Sequence, residues 1–208
     1  MYTAEELRNL TEKPRINDIS LNILQDYYKM YLMPFIYNYE VQDGTAKQTV
    51  ELMFDKENFC HLLGIESIVK NNVRMNELQN YKGLRGWQNI EDEAIDFSSL
   101  KSINKKKFQS VKAKYVFFYA IPNILESPIA VRFNPEDVDP PVRIQSEILF
   151  YNKIDNAVVH LGIDRENGER WYYPRTFFVE KLKDDNIDIY IENQQKIETK
   201  KINRTILL

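Results

Sequence analysis

Two histidines occur in 208 residues, and one of them, His61, stands in the string Phe59-Cys60-His61-Leu62-Leu63-Gly64. At roughly 100° per residue a helix through this string gathers Phe59, Leu62 and Leu63 on one stripe and turns His61 almost the opposite way. Asp55 stands where a helix N-cap belongs, and Gly64 can end the helix. An imidazole held off the apolar stripe can give or take a proton from a substrate near neutral pH. The competing reading is a solvent-facing histidine on a short helix.

The second histidine, His160, lies in Val158-Val159-His160-Leu161-Gly162-Ile163. Strand alternation puts Val159, Leu161 and Ile163 on a core face, predicted to lie under helices, and His160 on the other. The following strand carries Tyr172, Tyr173, Pro174, Arg175 and Thr176. Proline inside a strand marks an edge, an end or a bulge, and bulges re-aim side chains beside active sites. The tyrosines also fit ordinary half-buried strand positions, and Arg175 and Thr176 a surface pair. Lys101, Lys105, Lys106, Lys107, Lys112 and Lys114 form a stretch without acidic residues. Such a stretch can hold a phosphate backbone or serve as a solvated helix face. Arg85 sits between Gly83 and Gly86, where backbone amides of a tight loop can accept an anion or the glycines simply allow the turn.

The elements that must position these groups fall into two regimes. Leu21, Leu24, Tyr28 and Leu32 recur at helical spacing before Pro34. Residues 35–41 and 48–54 flank Asp43-Gly44 and predict a β-hairpin. Residues 55–68 read as helix, 80–89 as a glycine-punctuated loop, and 108–121 as helix, with Ser98 and Ser99 as caps for a helix bearing the lysines. Beyond Pro122 the period becomes two, predicting strands over 129–133, 144–151, 157–163, 170–178 and 187–192. Short connections imply antiparallel pairing. The predicted class is α+β: N-terminal helices and a hairpin, then an antiparallel four- to five-stranded sheet with helices on one face. Residues 1–54 read as a helix and hairpin extension and 55–208 as the α+β domain.

Composition narrows the function. With 43% hydrophobic residues the chain can bury a real core, and its net charge of −3 argues against coating nucleic acid over a whole surface. The single cysteine, Cys60, allows no internal disulfide and no multi-thiolate metal site, which fits a reducing, cytoplasmic setting. The N-terminus lacks a signal-peptide pattern, and the longest apolar run, 115–121, is too short to span a membrane. No paired-carboxylate or His-x-x-x-His spacing points to a metal or another cofactor.

The strings 59–65, 81–90 and Tyr172-Tyr173-Pro174-Arg175-Thr176-Phe177-Phe178 resemble the phage-associated nucleases grouped as barnase–EndoU–colicin–RelE-like, fourth family. The likeness covers about Phe54 to Glu192. It implies a small α+β nuclease domain that cleaves RNA without metal, with RNA as substrate and an antitoxin or immunity protein as a further partner. In that chemistry His61 is the base or acid and His160 its partner. Arg175 binds the phosphate, Thr176 donates a hydrogen bond, and Tyr173 stacks on a base or acts as an alternative acid. Lys105, Lys106 and Lys107 guide the backbone, and Arg85 is a further binding candidate. The slightly acidic charge departs from the basic character common among small ribonucleases. The rival is a non-catalytic phage or mobile-element protein that engages a host protein through the 35–54 hairpin.

Overall fold

Helical and alternating segments fall into separate units, although the β-hairpin interrupts the helices along the chain. In the computed structural model, which describes residues 1–182 and 188–207, two compact units form. One comprises Met1–Met33 and Asp55–Tyr119, the other Pro34–Phe54 and Ala120–Leu208.

The first unit is helical: α1 (Ala4–Arg8), α2 (Leu21–Tyr31), α3 (Lys56–Leu62), α4 (Ile65–Val69), α5 (Gly83–Glu91), α6 (Phe97–Ile103) and α7 (Lys105–Phe117). Polar caps set most of the starts. Asp55 accepts from the backbone of α3 while Asn58 reaches back to the Asp55 amide; Asp96 and Ser99 do the same for α6, and Asn104 caps α7 through the Lys107 amide. Asp96, rather than Ser98 or Ser99, is thus the N-cap, and that helix carries Lys101 while the other five lysines ride on α7. The predicted 55–68 helix is two helices, because Gly64 takes φ 70° and ends α3. The predicted 80–89 loop is mostly α5. Gly86 serves packing: a Cβ there would lie 2.7 Å from the Tyr81 carbonyl carbon and 2.8 Å from Cys60 Sγ.

An aromatic cluster holds this unit. Tyr28 lies against Phe59 (5.2 Å between centroids), Trp87 (6.0 Å) and Phe118 (6.2 Å), and Phe59 meets Trp87 edge-on at 5.3 Å. The Tyr28 hydroxyl donates to the Asp55 carbonyl at 2.8 Å, so the ring stack also fixes the start of α3. Phe59→Ala should therefore cost about 3–5 kcal/mol of stability, measured by denaturant unfolding.

The second unit corrects the predicted sheet. Its strands are β1 (Phe35–Asp43), β2 (Ala46–Met53), β3 (Ile129–Arg132), β4 (Ile148–Ile154), β5 (Ala157–Asp164), β6 (Trp171–Lys181) and β7 (Gln195–Ile206), with α8 (Ile121–Glu126). They close into a seven-stranded mixed barrel in the order β1-β2-β6-β5-β4-β3-β7, not an open antiparallel sheet with helices on one face. Four of the predicted strands pair antiparallel as expected. Closure comes from two features that local alternation does not reveal. β7 pairs with both β1 and β3, and β2 meets β6 in a short parallel seam, Glu51 opposite Trp171 and Leu52 opposite Tyr172. The predicted strand 187–192 is absent: Ile187 lies outside the described residues, and the chain from 188 forms a turn.

The lumen is identified by a contact between strands that are not neighbours. Tyr39 on β1 packs its ring on Phe150 of β4 at 5.3 Å. Phe150 stands opposite Leu161, and Leu161 opposite Phe177, so that face of β4, β5 and β6 points inward. The Tyr39 hydroxyl donates to the Leu125 carbonyl at the end of α8, 2.9 Å away. Val159, Leu161 and Ile163 are buried as predicted, but in the lumen rather than under helices. The opposite face is covered too. A second core of Val131, Phe133, Val138 and Leu149 lies there, with Ile189, Tyr190 and Ile191 packed on it.

Candidate functional site

Where β5 ends and β6 begins, the ladder slips. Gly162 stands opposite Thr176 and Ile163 opposite Pro174, which leaves Arg175 as the extra residue of a bulge. Pro174 has no amide hydrogen to place in a ladder, and this is the local reason for the irregularity. The bulge aims the Arg175 guanidinium at neutral partners: Nη1 donates to the Tyr173 hydroxyl at 3.1 Å and Nη2 to Gln145 Oε1 at 3.0 Å. Arg175, Tyr173 and Thr176 are all half-buried. Gly162 makes room for the segment above it, since a Cβ there would lie 2.1 Å from Ser146 Oγ and 2.6 Å from Thr176 Cγ2. Tyr173, Arg175 and Thr176 are thus brought together, beside Gln145 and Ser146.

Next to this rim lies a network that the sequence reading missed. Glu147 Oε1 accepts from Arg132 at 2.7 Å and from the Tyr172 hydroxyl at 2.9 Å, and Oε2 lies 3.3 Å from Arg165 Nε. Arg132 also reaches Asp43 at 3.4 Å, and Gln195 donates to the same carboxylate at 2.5 Å. The Arg165 guanidinium lies over the Tyr172 ring, 5.0 Å from its centroid. Burial first, and then the hydrogen bond to Glu147, push the Tyr172 hydroxyl well above the usual tyrosine range, so it remains a donor at neutral pH. One signal was available in the sequence. Arg132 and Glu147 are single charges next to the apolar runs Ile129-Ala130-Val131 and Ile148-Leu149-Phe150, and a charge in such a place needs a partner.

His160 occupies the predicted face, but that face is closed. The ring is fully buried, stacked on Phe178 at 4.3 Å with 8° between planes, and edge-on to Tyr190 at 5.7 Å. Its Nε2 lies 2.7 Å from Asp188 Oδ2, and Asp188 also accepts from the Tyr190 amide. This pairing fastens the turn after residue 187 over the barrel wall and keeps the imidazole from solvent. The expectation of a proton-transfer partner open to substrate is therefore not met by this geometry.

His61 lies in the helical unit. It is exposed on α3, whereas Phe59, Leu62 and Leu63 are fully buried, as the spacing predicts. Lys105, Lys106 and Lys107 are exposed in the first turn of α7, and Arg85 is exposed on α5 rather than in an anion-binding loop. On the 35–54 hairpin, Tyr37 and Tyr39 are fully buried inside the barrel unit. Among the described residues no helix is long and apolar enough to cross a membrane.

A family model described as phage-Barnase-EndoU-ColicinE5/D-RelE like nuclease 4 matches residues 21–203, which reaches further toward the N-terminus than the recognised strings. No curated protein and no solved structure matches the chain.

Proposed function

The chain belongs to the phage-Barnase-EndoU-ColicinE5/D-RelE like nuclease 4 family, and from nuclease activity as premise we propose that it cuts RNA without metal, by attack of a ribose 2′-hydroxyl on the neighbouring phosphate. The observation that supports this most is the bulged rim of the barrel. Arg175 is a guanidinium whose hydrogen bonds among the described residues go to a hydroxyl and an amide, not a carboxylate. Its guanidinium can bind two phosphate oxygens in parallel without first giving up a carboxylate. Arg132 and Arg165 differ from it in being engaged by Glu147. They stiffen the rim and add positive potential around the phosphate.

The reaction needs a base that takes the 2′-hydroxyl proton as O2′ bonds to phosphorus. It also needs an acid that protonates O5′ as the P–O5′ bond breaks, leaving a 2′,3′-cyclic phosphate and a 5′-hydroxyl. Thr176 donates to a phosphate oxygen, and Tyr173 stacks on a base or protonates O5′. His61 is proposed as a proton-transfer group on separate grounds, its residue type and its exposure in the helical unit. His160, being sealed, holds the covering turn in place and takes no part in proton transfer. The test is cleavage of RNA and of DNA of the same sequence in excess EDTA. RNA alone should be cut, at a rate the chelator leaves unchanged; loss of cleavage in EDTA, or equal cutting of DNA, would overturn the proposal.

A further inference from the structure

The two sides of β7 are unequally paired. Toward β1 its ladder runs from Glu198, opposite Gln42, to Ile206, opposite Phe35. Toward β3 it stops after Gln195, Lys196 and Ile197, which face Arg132, Val131 and Ala130. β3 goes no further because Pro128 precedes its first residue and has no amide hydrogen with which to continue the ladder. From Glu198 to Ile206 the outer edge of β7 therefore carries backbone groups that no strand pairs among the described residues. The edge is open as well as unpaired: residues 202–207 are exposed, Ile202 by 55% and Ile206 by 63%.

A long bare edge is a template for another strand, and charge and shape decide which strand it admits. Lys200, Lys201 and Arg204 lie in residues 199–206, a stretch with no acidic residue. Lys201 and Arg204 share one carboxylate, that of Glu126 at the end of α8. Lys200 stands opposite Glu40, which is itself paired with Lys47 at 3.4 Å. The edge is thus cationic in a protein whose net charge is −3. It also bulges: Asn203 faces Asn38 and Lys201 faces Tyr39, so Ile202 is the extra residue. A second copy pairing antiparallel in the register of greatest overlap, centred on Ile202, would set Lys200 against Arg204 twice, and like charges directly across a ladder are destabilising. An acidic strand meets the same cations with favourable sign, and Ile202 and Ile206 offer it apolar contact.

We propose that the outer edge of β7, residues 198–206, binds an extended acidic segment of a partner protein by strand addition, antiparallel to β7 and in line with β3. Main-chain hydrogen bonds supply the affinity, and the cations with the two isoleucines supply the selectivity. β7 starts beside the Glu147 network, where Gln195 meets Asp43, and runs from there to the other end of the barrel, where it meets Phe35. The proposal therefore does not rest on the nuclease reading.

The probe is an end-blocked peptide of about ten residues, long enough to cover the edge, in which valine alternates with glutamate. One control peptide has lysine in place of glutamate. A second keeps the acidic sequence but is N-methylated at every residue, so it retains charge and loses its amide hydrogens. Amide hydrogen exchange of the protein, followed by NMR, locates each of them. At about ten times its Kd the acidic peptide should slow the amides of 198–206 that point away from β1 by about tenfold, and neither control should slow them. Lys200→Gln, which removes an exposed cation that makes no ion pair among the described residues, should weaken the acidic peptide by about two- to fivefold. Protection by the methylated or the lysine peptide equal to that by the acidic one would overturn the proposal, as would no protection of 198–206 with peptide at about 1 mM. Protection of the same amides that grows with protein concentration alone would give the edge to a second copy, and displacement of the peptide by an RNA oligonucleotide would give it to nucleic acid; either result overturns the proposal. No arm measures cleavage, so a protein that takes the acidic strand yet cuts no RNA would keep this surface and discard the nuclease mechanism.

Discussion

Arg175→Ala is expected to lower kcat/KM for RNA cleavage by about 10²–10³-fold, the usual loss when one donor to a developing oxyanion is removed. The reasoning starts from the bulge. A residue without a partner in the neighbouring strand contributes little to the ladder, so its side chain is free to serve a ligand. The fold should not suffer, because the Arg175 side chain is half-buried and its hydrogen bonds among the described residues go to Tyr173 and Gln145. Arg175→Lys should restore only part of the rate, since an ammonium cannot make two parallel bonds to phosphate. Initial rates together with thermal unfolding check both halves. A variant that unfolds early would mark Arg175 as a structural residue, and one that cuts at the wild-type rate would remove it from the site.

His61→Ala should lower cleavage by about 10²–10⁴-fold, the range for a positioned acid or base. The contrast with its neighbour makes this informative. Phe59, two residues earlier, is fully buried among Tyr28, Trp87 and Phe118, and its loss should destabilise the unit; His61 is exposed, and its loss should leave unfolding and circular dichroism unchanged. The pH–rate profile should also lose the limb that an imidazole contributes. If His61→Ala cuts RNA as fast as the wild type, proton transfer moves to the barrel rim, where Tyr173 and Glu147 are the remaining groups.

Local physics was legible in the chain. Helical spacing located α2, Asp43-Gly44 located the hairpin, and Pro174 marked an edge, an end or a bulge, of which the bulge carrying Arg175 is what forms. Alternation in β5 assigned Val159, Leu161 and Ile163 to one buried face. What covers a face is a different question, because the same alternation suits a helix layer or a barrel lumen. Closure depends on pairings such as Asn38 with Asn203, 165 residues apart, and these leave no local trace. β7 was invisible for a related reason. With Lys196, Glu198, Lys200, Lys201 and Arg204 it is polar along most of its length and buries Ile197 alone. The Glu147 network was hidden likewise, its members arriving from β1, β3, β6, β7 and the chain next to β4 and β5. His160 shows the reverse error: its direction was readable from period two, but its sealing depends on the turn 188–191, which contributes no period.

The claim of metal-free attack by the 2′-hydroxyl is tested most directly by the ends of the products. An RNA oligonucleotide and its fully 2′-O-methylated counterpart are incubated with the protein in excess EDTA, and the fragments are weighed by mass spectrometry. The account predicts cleavage of the unmodified RNA alone, the fragment upstream of each cut ending in a 2′,3′-cyclic phosphate and the fragment downstream beginning with a 5′-hydroxyl. Fragments of the methylated strand, or 5′-phosphate ends on the unmodified one, would show that water rather than the ribose attacks phosphorus and would contradict it.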